Sequence, residues 1–191
     1  DKINIRSVAD AKRARAKRIG DLEYARRKAS GEKVKQADCE VDYKKIANDF
    51  NKIGEAAKKH GIRFAYHNHG YGFSEMEGQI PFQMLLKQTD PRLVYLQMDL
   101  FWTVAGGADP IKLFTENKGR YVMMHVKDMK KKVRFSGDGG TPNQWTALWG
   151  EMTTAGDGVL DLKNILTVAK ENGLQHCVVE QDIVAHPEIA L

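Results

Sequence analysis

Cysteine is scarce: Cys39 and Cys177 are the only two in 191 residues, and their spacing fits neither a disulfide framework nor a zinc-ligand pattern. Cys177 lies inside an apolar run, which reads as a buried, inert thiol. No apolar run approaches the length needed to cross a bilayer, and the first residues lack the apolar stretch of a secretory leader. The expectation is a soluble protein with no membrane partner, cytoplasmic, or periplasmic if a signal segment is missing from this chain. No glycine loop of the phosphate-cradling kind opens a helix.

A charge of one sign is also missing over most of the chain. Residues 1–40 contain 12 Lys or Arg against 7 Asp or Glu, whereas residues 41–191 contain 18 of each. The basic excess therefore sits in the first fifth, expected as a basic N-terminal helical segment over 1–40 with its helix at 6–29. No aromatic side chains interleave those basic residues as stacking platforms, so a solvated helix outweighs a nucleic-acid arm. With 42% apolar residues, the remaining 41–191 can hold a core.

Four short apolar runs are present, and each ends in a group able to bind metal or move a proton. They are Ile62-Arg63-Phe64-Ala65-Tyr66-His67, Val94 to Asp99, Tyr121 to His125, and Gln175 to Glu180. Strand period places His67 and His69 on one face, with Tyr66 and Asn68 on the other. Between the runs lie helix patterns. Asp42 to His60 repeats Ile46, Phe50, Ile53 and Ala57 at helical spacing before Gly61. Pro81 to Gln88 and the segment opened by Asp109-Pro110 carry proline in their first turns. Asp161 to Asn172 ends at Gly173. A loop is expected after Asp99, and Lys130 to Gly158 reads as a long irregular insertion of the kind that is usually functional. Strands alternating with helices imply right-handed crossovers and a parallel α/β sheet, with ligand groups at its carboxyl end.

The chemistry follows from the donor types. His67, Asp99, His125 and Glu180 offer two nitrogen and two oxygen donors, a set suited to Mn, Fe, Co or Zn more than to Ca. A bound cation could polarise a sugar carbonyl and acidify the neighbouring C–H, with Glu180 as the base. His69 could support His67 or contact substrate. Lys127 and Asp128 could orient ligands or touch substrate, and Tyr66, Phe101, Trp102 and Trp145 could line an apolar wall against a sugar ring. Taken singly, each group has a structural role open to it: a histidine at a strand end more often hydrogen-bonds than ligates, and Asp99 could cap the next segment.

The ordered set of motifs resembles the C-terminal half of the sugar phosphate isomerase/epimerase family with a xylose-isomerase-like barrel. The matching stretches are Asn51-Lys52-Ile53-Gly54, Gly61 through His69, Met98-Asp99-Leu100-Phe101-Trp102, His125-Val126-Lys127-Asp128, Gly156 through Asp161, and Val179-Glu180-Gln181-Asp182. The resemblance implies a parallel (β/α)8 TIM-barrel type fold, of which the last four β/α units are evident here, making 41–191 a half-barrel domain. It implies a divalent metal (Mn, Co, Mg or Zn) at the carboxyl-end face, commonly held by Glu, Asp, His and Glu. His67 stands where many relatives have the first Glu; Asp99, His125 and Glu180 match the others. Gly72 stands before Phe73 where this branch often has a Glu, which removes one possible acid or base.

The implied function is a metal-dependent sugar or keto-sugar isomerase, epimerase or related lyase. Its expected catalytic groups are Glu180, His69 and Lys127, and its substrate-binding groups Tyr66, Asn68, Trp102 and Asp128. Set against it are a degenerate sugar-binding fragment and, with less support from the neutral 41–191 segment, a metal-dependent DNA phosphodiesterase. A small carbohydrate is the expected partner. Four strands leave an open edge, so a homo-oligomer that completes the barrel is also expected.

Overall fold

The computed structural model describes residues 36–75 and 78–183. The basic helix expected over 6–29 lies outside the described residues. The chain divides into units at Asp42/Tyr43, and the architecture below is that of the second. The described elements are α1 (Gln36–Lys58), which begins in the first unit, then β1 (Phe64–His67), α2 (Pro81–Gln88), β2 (Val94–Asp99), α3 (Leu100–Ala105), α4 (Pro110–Glu116), β3 (Tyr121–Val126), β4 (Asp128–Met129), α5 (Pro142–Thr146), β5 (Met152–Thr153), α6 (Leu162–Glu171) and β6 (His176–Val179). Strands β1, β2, β3 and β6 pair in that order, all parallel. This is the α/β plan expected, as one part of a barrel.

The helices start where local chemistry satisfies their first N–H groups. Asp109 accepts from Ile111 N and Lys112 N before α4, and Asp161 accepts from Asn164 N before α6. α3 replaces the loop expected after Asp99, because the Asp99 side chain accepts from Trp102 N and caps it. The helices cover one face of the sheet. Leu96, Met98, Tyr121, Met124 and Val126 from the strands meet Phe82 of α2, Phe114 of α4, and Ile165 and Ala169 of α6. Each such buried side chain contributes about 1.5–3 kcal/mol relative to exposure.

α1 packs differently from its apolar spacing. Ala47 is buried while Ile53 is 44% exposed. Gly54 is the reason: a Cβ there would lie 2.2 Å from the Leu93 carbonyl oxygen, so the helix approaches the entry of β2 on its glycine. Asn51, on the same side, donates to Gln88 O and accepts from Asp90 N at 2.7 Å.

One irregularity decides which side chains share a face. Between β2 and β3, Leu96 pairs with Tyr121 but Gln97 pairs with Met123, so Val122 is skipped. Asp99 then stands beside His125. Without that skip Asp99 would pair with Met124, whose side chain points to the helices, since a one-residue slip exchanges faces.

β6 is the exposed edge. Val178 and Val179 are 46% and 70% exposed, and Cys177 is exposed as well. The buried thiol expected from the apolar run is therefore corrected: the run is a strand, but no described element covers it. The insertion after Lys130 also has structure. β4 and β5 pair antiparallel, α5 lies between them, and Phe101, Trp102, Met129, Phe135 and Met152 form a second apolar cluster.

Candidate metal centre at the carboxyl ends of the strands

The four strand-end residues converge. Donor atoms of Asp99, His125 and Glu180 all lie within 4.8 Å of one another, and so do those of His67, His69 and Asp99. Asp99 belongs to both groups and is fully buried. His67 Nε2 is 3.7 Å from Asp99 Oδ2, and its Nδ1 is 3.1 Å from Gln97 Oε1. With Gln97 Oε1 accepting from Nδ1–H, the Nε2 lone pair is left facing Asp99. His125 Nδ1 approaches Glu180 Oε2 to 2.5 Å.

Two buried atoms indicate what this cluster is built to hold: Asp99 Oδ2 and His125 Nδ1 are fully enclosed and meet only charged or ionisable side chains, the Lys127 ammonium at 3.1 Å and the Glu180 carboxylate at 2.5 Å. An imidazole nitrogen and carboxylate oxygens gathered within 4.8 Å of one another fit a divalent cation of the N/O-preferring kind.

Electrostatics agree with the burial. Desolvation raises Asp99 to about 6 despite Lys127 nearby, and desolvation with help from His69 and His125 lowers His67 to about 4. Burial also lowers His69, as does the Lys127 charge. Burial pushes Glu180 up, but Lys127 and His125 outweigh it and hold it below the usual carboxylate range. Burial likewise works against the Lys127 ammonium, and the Asp99, Asp182 and Glu180 carboxylates more than offset it.

Several expected contacts are corrected by the geometry. Tyr66 packs against Phe50 and Phe82 on the helix side, so it does not face the site. Asn68 is buried and donates to Thr103 Oγ1 at 3.0 Å, holding α3 to the end of β1 instead of meeting substrate. Asp128 is buried too, and its carboxylate accepts from Met129 N, Gly156 N, Gly158 N and Leu160 N. It anchors the returning loop and has no face free for substrate. Phe101 is fully buried. Trp102, 3% exposed, lies between Phe135 and His69, with ring centroids at 5.7 and 6.2 Å; it supports His69 from below.

Of the rings expected to line a wall, Trp145 is the one beside the site, joined there by Tyr71: Trp145 meets His69 edge-on at 5.5 Å and stacks on Tyr71 at 6.2 Å, and its Nε1 donates to Gly139 O. Tyr71, Gln97 and Asp182 were absent from the expected site. Gln97 was legible in principle, two residues before Asp99 and so on the same face. Tyr71 and Asp182 sit in loops, where no periodicity marks direction.

A parallel β/α sheet with imidazole and carboxylate donors gathered at its carboxyl end defines a class, the barrel proteins with a metal-type site on that face. The chain belongs to the xylose isomerase-like TIM barrel family, which matches residues 5–187. It is 30% identical to the inosose dehydratase of Clostridium tetani over 138 residues, covering 71% of this chain and 45% of that protein. It is 29% identical to the inosose dehydratase of Geobacillus kaustophilus over 177 residues, covering 88% and 56%. Among solved structures, a sugar phosphate isomerase/epimerase from Parabacteroides distasonis superposes with a TM-score of 0.61 at 26% identity, covering 82% of this chain and 49% of that one. The chain thus spans about half the length of the relatives it matches.

Proposed function

We propose that this chain forms the metal-holding part of an enzyme that moves a proton next to the carbonyl of a cyclic keto-sugar or keto-polyol. The reaction is an isomerisation, an epimerisation or, as the dehydratase relatives favour, loss of water. The observation that carries this reading is the convergence of Asp99, His125 and Glu180 within 4.8 Å, beside a half-buried ring wall of Trp145 and Tyr71. His67, Asp99, His125 and Glu180 would hold the ion. When bound, a divalent cation stabilises negative charge developing on the carbonyl oxygen.

The protein's own groups do the rest. Glu180 is 39% exposed at the side chain, with Oε2 on His125 and Lys127. His69 faces the same cluster from its seat on Trp102. One of this pair takes the proton from the carbon next to the carbonyl, and the electron pair passes to the oxygen. For dehydration the proton is returned to the departing hydroxyl; for isomerisation it returns to carbon. Lys127 can donate a hydrogen bond to the oxygen that gains charge, and the Trp145 and Tyr71 rings offer an apolar surface to the C–H face of a sugar ring.

The test is metal analysis of the purified protein, followed by turnover of cyclic keto-polyols. About one ion per complete site is expected, and Asp99→Ala should remove both the ion and at least 100-fold of the rate. Full turnover in excess chelator would overturn the reading.

A further inference from the structure

Lys127 occupies an unusual place for an ammonium. It is 4% exposed, and its Nζ lies 3.1 Å from Asp99 Oδ2, 2.9 Å from Glu180 Oε2 and 2.8 Å from Asp182 Oδ2. The first two belong to the residues that, with His125 Nδ1, form the candidate donor set. An ammonium sits about 2.8–3.0 Å from its oxygens, whereas a zinc-type ion sits at about 2.0–2.2 Å. The two cations therefore compete for the same carboxylate edges, and their like charges oppose sharing them.

We propose that Lys127 is a resident cation that holds Asp99 and Glu180 together until a divalent ion displaces it, with Asp182 as the anchor to which its ammonium retreats. The inference rests on the metal-centre reading above. Without some cation, Asp99, Glu180 and Asp182 would set three carboxylates against each other. Lys127 cancels that repulsion, and so shapes the donor set before any ion arrives. Asp182 is the contact that need not be surrendered. It lies outside the donor set, accepts a hydrogen bond from Nζ, and is 32% exposed against none for Asp99, so it is the berth nearer solvent. From there the ammonium still points over the site, where it can meet a substrate oxygen. Asp182 acts through Lys127 and is a positioning residue.

The experiment is a calorimetric Mn2+ titration of the wild-type protein, Lys127→Gln and Asp182→Asn, with melting temperatures in chelator, together with a structure of the Mn2+-loaded wild type. Lys127→Gln should bind Mn2+ at least tenfold more tightly while melting lower in chelator. Asp182→Asn should bind several-fold more weakly, because the ammonium then stays on Asp99 and Glu180. In the loaded structure Nζ should be beyond hydrogen-bond reach of Asp99 and Glu180 and still on Asp182. Unchanged or weaker binding by Lys127→Gln overturns the inference, as does Nζ remaining on Glu180 beside a bound ion. If Lys127→Gln does not fold, tight binding by Asp182→Asn overturns it alone. No Mn2+ on the wild type would bring down the metal-centre reading itself, a result separate from these.

Discussion

Asp99 carries two duties through its two oxygens. Oδ1 accepts from Trp102 N to start α3, and Oδ2 faces the Lys127 ammonium at 3.1 Å in the candidate donor set. Its folded-state titration near 6, against 3.8 for the free group, means that between those values the folded protein binds more protons than the unfolded chain. The Asp99 contribution to stability therefore declines as pH rises from about 4 to 6. His67, lowered from 6.5 to about 4, works in reverse: there the unfolded chain binds more protons, and stability is lost as pH falls. In chelator the two trends oppose each other. Replacing Asp99 by Asn removes one of them, so the melting temperature of Asp99→Asn minus that of wild type should rise between pH 4 and 6.5, by the equivalent of about 2–3 kcal/mol. A pH-independent difference would contradict the assigned burial. Asp128 gives a second test at this scale. Its four backbone donors make Asp128→Ala cost about 3 kcal/mol, readable as a shifted urea midpoint.

At the scale of elements, sequence and structure part company where packing, not periodicity, decides. The 3.6-residue repeat marked α1, and proline, aspartate and a closing glycine marked α2, α4 and α6. The repeat assigned Ile53 to the buried stripe, yet Gly54 turns α1 so that Ile53 is 44% exposed. A glycine gives no apolar signal, and its importance lies in the neighbour it admits. Gly54→Ala should destabilise by about 1–3 kcal/mol by driving a methyl into the Leu93 carbonyl, while Ile53→Ser should stay within about 0.5 kcal/mol; chemical denaturation of both variants checks the contrast. α3 was missed because six residues are too few to show a period, and its start depends on a side chain also read as a ligand. The Val122 skip that aligns Asp99 with His125 is invisible in either strand alone.

At the scale of the whole molecule, the second unit carries an open four-stranded parallel sheet among the described residues. β1 and β6 each lack a neighbour on one side, and Val179 at 70% exposure lies on the edge where a barrel would continue. Exposed strand edges with apolar side chains seek partners. If a second copy supplies the missing strands, light scattering should report a mass of at least two chains, and Val179→Lys should shift it to one. A folded wild-type monomer would exclude self-completion.

What the sequence determined by itself is the alternation of strand and helix and the placing of one chemical group at the end of each strand, because periodicity and short-range caps are local properties. The family-like motifs added the barrel class. What only the tertiary structure decided is which of those groups face each other. Asn68, Asp128 and Tyr66 stand beside the site residues in sequence but turn into the core or a loop, whereas Tyr71 and Asp182 join the site from loop positions with no distinguishing local pattern. The physical reason is that a side chain's direction depends on strand register and on what packs behind it, and both are set by partners far away along the chain.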